Sequence, residues 1–171
     1  ISQSISLEKN PSSYDIACLA SYRPLHVYSW IKTIIPDIEL QPIFQRQVVE
    51  VQQEIGLRKK IPQLTSINEN VSLAVQNQYE EYPYPRWIDT RIDPNPTSIK
   101  GILKKLRLRP KNDAIRFPES PEVLIAGCGT GQHSISTASS FKSSKVTAID
   151  LSLTSLSYAK RKTEEYNINN I

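Results

Sequence analysis

In the stretch LIAGCGTGQHS, Leu124 to Ser134, glycine takes three alternate positions, Gly127, Gly129 and Gly131, and Asp150 follows nineteen residues after the last of them. The chain has five glycines in all, and the other two, Gly56 and Gly101, stand alone. Residues without a side chain, placed directly after an apolar run, let the main chain take left-handed angles and let a ligand approach it closely. A helix starting there presents free N–H groups and the positive end of its dipole, which suit an anionic group. An aspartate at the tip of a following strand can accept hydrogen bonds from two vicinal hydroxyls, as a ribose offers. Glycine turn plus strand-terminal acid reads as a nucleoside site. A bare tight turn, the plainer reading, leaves the placement of Asp150 without a reason.

The elements that must position these residues are legible around them. EVLIA, residues 122–126, is a short apolar run rich in β-branched residues, the pattern of a parallel strand buried on both faces. QHSISTASSF then carries Ile135, Ala138 and Phe141 at a spacing of three, a helical stripe. KVTAID reads as a second strand ending in the acid, and LSLTSLSYAKRKTEEY as a second helix with Leu153, Leu156 and Ala159 on one face. Strand, glycine turn, helix, strand, acid, helix is a βαβα unit, whose ligands sit at the carboxyl ends of the strands.

Spacing narrows the nucleoside. A dinucleotide fingerprint is G-x-G-x-x-G, but position 132 is Gln and the third glycine is Gly131. A phosphate loop needs Lys after its final glycine, and Gln132 is not one. The residues resemble the S-adenosylmethionine site of class I methyltransferases, whose first motif is close to VLIAGCGTG and whose second ends in an acid, as VTAIDLS does. The segments ASYRPLHV, IPQLTSINENVSLAVQNQYEEYPYPRW and LIAGCGTGQHS together are similar to a bacterial group in which this domain often follows tetratricopeptide repeats, over a span from Ala17 to the last residue.

That resemblance implies an α/β fold, the start of a Rossmann-like methyltransferase sheet preceded by a mainly helical pre-domain. It implies S-adenosylmethionine as cofactor and methyl transfer to an unidentified acceptor, in a cytoplasmic protein with upstream repeats as a possible partner. Gly127, Cys128, Gly129 and Gly131 would shape the loop on the methionine side, Asp150 would hold the ribose and Leu151 would flank the adenine. Tyr82 and Tyr84, with Trp87, read either as packing between domains or as a lid over the cofactor. One position departs from the class: Ile125 stands where an acid usually lies two residues before the first glycine. No catalytic residue can be named. The class has a seven-stranded sheet, of which two strands are present, with NINNI where a third would begin. The chain, which lacks methionine and starts at Ile1, therefore reads as a fragment expected to be inactive alone.

The domain reading is a helical pre-domain over 1–82, a Pro-rich basic connector over 83–121, and the methyltransferase segment over 122–171. In the first part, QPIFQRQVVEVQQEIGLRKK places Phe44, Val48, Val51 and Ile55 on one helical face, with Pro42 near its start and Gly56 near its end. A helix is also predicted over NENVSLAVQNQYEEY, stopping before Pro83, and an earlier one over YDIACLASY and PLHVYSWIKTII, broken near Pro24. The connector holds seven prolines and one short basic helix, TSIKGILKKL.

Composition sets outer limits. The chain has 171 residues, 39% hydrophobic and 22% charged, enough to bury a core. No apolar run approaches the roughly 18 residues of a membrane span, so no membrane partner is expected. Its net charge of +4 is concentrated: Lys100 to Arg116 holds seven basic residues against one acid, Asp113. Without interleaved aromatics this stretch reads as a solvated face, and nucleic acid is not an expected partner. Two cysteines, Cys18 and Cys128, and two histidines, His26 and His133, are spaced for neither a disulfide framework nor a metal site, so none is expected. Cys128 reads as a small filler, and His133 as a support for the loop. A nicotinamide or flavin oxidoreductase, or a non-catalytic binding or scaffolding module, remains as an alternative function.

Overall fold

The computed structural model describes residues 11–65, 78–80, 83–112 and 114–171. Two compact units divide the chain, Ile1–Gly56 and Leu57–Ile171.

In the first unit, α1 (Ser13–Tyr22) starts from a capping box. The Ser12 side chain accepts from the Asp15 N–H, and the Asp15 carboxylate accepts from the Ser12 N–H at 3.1 Å. Bonds from the Ser12 hydroxyl and then its N–H hold the Asp15 carboxyl below its ordinary pKa. After Pro24 the predicted helix is replaced by two 3-10 turns, Leu25–Val27 and Ser29–Thr33. They meet at Tyr28 in extended geometry, which lets both Leu25 and Ile31 reach the core with Ile16, Leu19, Leu40 and Val48.

The long helix of this unit starts as α2 (Gln41–Phe44), passes through a π-wound turn, Gln45–Val49, and continues as α3 (Glu50–Leu57). A π turn inserts one residue relative to α-helical spacing, so the face rotates beyond it. Val48 is buried as the stripe requires, but Ile55 is 54% exposed and its neighbour Glu54 is buried instead. The predicted face of Phe44, Val48, Val51 and Ile55 holds only as far as the π turn.

In the second unit, residues 78–80 are helical, and the rest of the helix predicted over 68–82 lies outside the described residues. The basic helix of the connector is α4 (Ile99–Lys105), capped by Ser98, whose side chain accepts from the Gly101 N–H. Just before it, Thr97 donates its N–H to the Ser140 carbonyl at 3.0 Å and accepts from the Lys142 N–H at 3.0 Å.

The predicted βαβα order is present as β1 (Glu122–Ala126), α5 (Gln132–Ser140), β2 (Lys145–Ile149) and α6 (Leu153–Glu165). The strands pair in parallel from Glu122↔Lys145 to Ala126↔Ile149. Burial on both faces, expected for EVLIA, is not found. Side chains alternate between faces: Ile125 and Val146 enter a core with Cys128, Ala138 and Leu156, whereas Leu124 is 65% exposed. Both helices contribute to that one core, so the sheet is covered on the side they share. On the edge of β2 away from β1, the Val146 N–H donates to the Asn170 carbonyl at 2.7 Å. The Asn170 side chain in turn donates to the Ala138 and Ser144 carbonyls at 3.1 and 3.0 Å. NINNI thus touches β2 through one main-chain bond without forming a strand. Among the described residues no helix is long and apolar enough to cross a membrane.

Candidate functional site

The turn between β1 and α5 is left-handed at all three glycines, with φ of 70° at Gly127, 52° at Gly129 and 81° at Gly131. Its amides are largely spent on bracing the turn. Gly127 and Cys128 both donate to the Ile149 carbonyl, at 2.9 and 3.0 Å, and Gly131 donates to the Cys128 carbonyl at 3.0 Å. The Gly129 N–H donates to one oxygen of Asp150 at 2.7 Å, while the other oxygen accepts from the Ser152 N–H at 2.9 Å. Asp150 therefore joins the first strand's turn to the start of α6 by two charge-assisted bonds. Each carboxylate oxygen has lone-pair capacity beyond the one bond it accepts here.

The three glycines answer different needs. A Cβ at Gly127 or Gly129 would meet no heavy atom within 4 Å, so open room lies before both. A Cβ at Gly131 would lie 2.5 Å from the Ala159 Cβ, so that glycine lets the turn pack on α6.

Residues from the connector hold the turn from behind. The buried Thr130 hydroxyl donates to the Pro85 carbonyl at 2.7 Å, and the Thr130 carbonyl accepts from the Trp87 indole N–H at 3.1 Å. Trp87 is buried with Ile135 and Tyr158, its ring edge-on to Tyr158 at 5.9 Å and stacked with Tyr166 at 6.1 Å. The Tyr158 hydroxyl donates to the Trp87 carbonyl, and the Lys162 ammonium donates to the Ile88 carbonyl at 2.7 Å. Trp87 is a packing residue, held by α5 and α6. Tyr84 stands 77% exposed and Leu151 41% exposed, while Tyr82 lies outside the described residues.

The two helix starts beside the sheet differ electrostatically. At α6, Ser152 caps the Ser155 N–H at 3.0 Å, and the Glu80 carboxylate accepts from the Leu153 N–H, the Thr154 N–H at 3.2 Å and the Thr154 hydroxyl at 2.6 Å. Arg58 stands 3.7 Å from that carboxylate. At α5 the N-cap is Gly131, which brings no side-chain cap. The positive end of the α6 dipole is thus answered by protein carboxylate, whereas the start of α5 has no side-chain cap. Glu80 and Thr130 escaped sequence reasoning. Their partners lie more than 40 residues away, and only the pairing of QYEEYPYPRW with AGCGTGQH pointed toward them.

Burial, and then the charge of Asp150, push the Cys128 thiol up to about 12, so it stays protonated and un-nucleophilic near neutral pH. Ile125, where the class carries an acid, is packed in the core beside Cys128. His133 is exposed in the first turn of α5. Among the described residues, no group of three or more His, Cys, Asp or Glu is placed to hold a metal ion.

No curated protein and no solved structure matches the chain. Residues 123–171, which carry the glycine turn, β2, Asp150 and α6, match the model of a family described as a methyltransferase domain.

Proposed function

We propose that residues 122–171 bind S-adenosylmethionine and that the protein transfers its methyl group to an acceptor. The observation that carries this reading is the tie between the glycine turn and Asp150, inside the stretch that matches the methyltransferase model. The residues fit the cofactor: open room lies before Gly127 and Gly129, and a carboxylate with spare acceptor capacity stands beside it. When bound, the cofactor supplies a methyl group made electrophilic by its sulfonium.

The chain's own part is to bind and orient. Gly127, Cys128, Gly129 and Gly131 shape the methionine side, their amides fixed to Ile149, Asp150 and Cys128 before any ligand arrives. Such a preformed cradle lowers the ordering cost of binding. Asp150 accepts from the ribose hydroxyls, and Leu151, half-exposed beside it, flanks the adenine. Tyr84 lies three residues before Trp87, whose anchoring fixes where the tyrosine emerges, and it belongs to the proposed lid. The protein would then align an acceptor nucleophile with the methyl group, a proximity effect.

Two substitutions test the reading by calorimetric titration of S-adenosylmethionine into the protein. Gly129→Val is expected to abolish binding while far-UV circular dichroism keeps its helical signal. Its Cβ meets no protein atom within 4 Å but takes up room before the turn, and the left-handed backbone adds about 1–2 kcal/mol of local strain. Asp150→Ala is expected to weaken binding by about 1.5–3 kcal/mol, the range for hydrogen bonds to a charged group. Unchanged affinity in both variants would remove the nucleoside assignment.

A further inference from the structure

The N–H groups that open a helix precede its own ladder of bonds and need partners from elsewhere. In α6 each of them has one. Ser152 donates to Asp150 at 2.9 Å, Leu153 and Thr154 donate to Glu80, and Ser155 donates to the Ser152 hydroxyl at 3.0 Å. The ladder then begins with Leu156, which donates to the Ser152 carbonyl at 3.0 Å. Two carboxylates thus share one helix start, Asp150 on the first amide and Glu80 on the next two. The Ser152 and Leu153 amides belong to successive rigid peptide planes, so the direction of one limits the direction of the other.

The start of α1 shows what a local solution looks like. There the acid three residues after the cap, Asp15, takes the cap N–H and closes the box within the helix. In α6 that position is Ser155, and the cap N–H goes out to Asp150 instead. The amides that follow are served by Glu80, 73 residues before Leu153. Glu80 is itself braced. It accepts from the Thr154 hydroxyl at 2.6 Å, and the Arg58 guanidinium, which donates to that hydroxyl, stands 3.7 Å from its carboxylate.

We infer that Glu80 is a positioning residue for a ribose, acting on Asp150 through the first turn of α6 and not on the ligand itself. This rests on the S-adenosylmethionine reading above. Asp150 is held at both oxygens, by Gly129 at 2.7 Å and by Ser152, so its spare lone pairs keep one direction for a pair of vicinal hydroxyls. Without Glu80 two amides of the first turn lose their partner, the turn frays, and the Ser152 N–H no longer fixes the carboxylate.

Calorimetric titration with S-adenosylhomocysteine and with its 2′,3′-dideoxy counterpart, which lacks both hydroxyls, tests this, alongside amide exchange of the ligand-free protein. The parent protein is expected to favour the hydroxylated ligand by about tenfold or more, the scale of hydrogen bonds to a charged group. Glu80→Ala should remove most of that preference, weakening the hydroxylated ligand and leaving the dideoxy ligand nearly as before. It should also speed exchange at Gly129, whose amide is held by Asp150. Glu80→Asp, which keeps the charge but is one methylene short of the amides, should behave in the same way. Glu80→Gln, whose amide oxygen can still accept from Leu153 and Thr154, should restore both preference and protection. The inference is overturned if Glu80→Ala and Glu80→Asp keep the parent's preference, weaken both ligands equally, or leave Gly129 exchange unchanged. A parent protein that binds the two ligands equally, or neither, overturns the ribose assignment of Asp150 and this inference with it.

Discussion

Trp87→Ala is expected to destabilise the second unit by about 3–5 kcal/mol, the range for removing a buried tryptophan. The side chain is 7% exposed, and it fills the space between Ile135 of α5 and Tyr158 of α6. Removing it forfeits two aromatic contacts and leaves the Thr130 carbonyl without the indole donor. Trp87→Phe separates these contributions. It keeps most of the apolar volume and loses the N–H, so a smaller cost of about 1–3 kcal/mol is expected for the unmet polar group. Urea unfolding followed by circular dichroism measures both. An Ala variant within 1 kcal/mol of the parent protein would mean that residues 83–92 contribute nothing to the cohesion of the unit.

Gly131→Ala comes next in size, at about 2–5 kcal/mol, from two sources. A non-glycine residue at φ 81° costs about 1–2 kcal/mol. The new Cβ would lie 2.5 Å from the Ala159 Cβ and 3.1 Å from its Cα, atoms that no rotamer change can move aside. Relieving that overlap costs about 1–3 kcal/mol, as overpacking of a core does. The two sources are separable by experiment. Ala159→Gly alone should cost about 1 kcal/mol as a helix-interior glycine, yet in the Gly131→Ala background it should relieve the Cβ overlap and leave the backbone strain with the tight 3.1 Å approach to the Cα. A coupling energy of about 1–3 kcal/mol in the double-mutant cycle is the expected result. Strict additivity would mean that the turn and α6 do not press on each other.

The order strand, glycine turn, helix, strand, acid, helix was legible because each signal is local. β-branched runs, clustered glycines and a stripe of apolar residues declare themselves within ten residues. That the glycine turn and Asp150 share one edge was legible too, since a parallel pair brings both strand ends together, but the bond from the Gly129 N–H to Asp150 was not. What escaped reading was non-local or depended on a backbone irregularity. Nothing in QRQVV announces a π turn, so Ile55 was expected inside, whereas it is exposed and Glu54 is buried beside it. Glu80 caps a helix more than 70 residues downstream, and no composition rule reaches that far. Leu124 was expected under cover because a parallel strand ordinarily has helices on both sides, and here the two helices share one core. The basic stretch was read as a solvated face, and its seven basic residues are all exposed.

Thr130 has a consequence best put as thermodynamic linkage. Its hydroxyl and its carbonyl grip Pro85 and Trp87 at once, so the glycine turn and the segment behind it have no independent equilibrium between open and closed forms. Any ligand that stabilises the turn must stabilise residues 85–88 by the same coupling free energy, and anything that loosens those residues must weaken the ligand in equal measure. Amide exchange at Trp87 and Ile88, more than 40 positions before Thr130, thereby becomes a reporter of occupancy at the glycine turn.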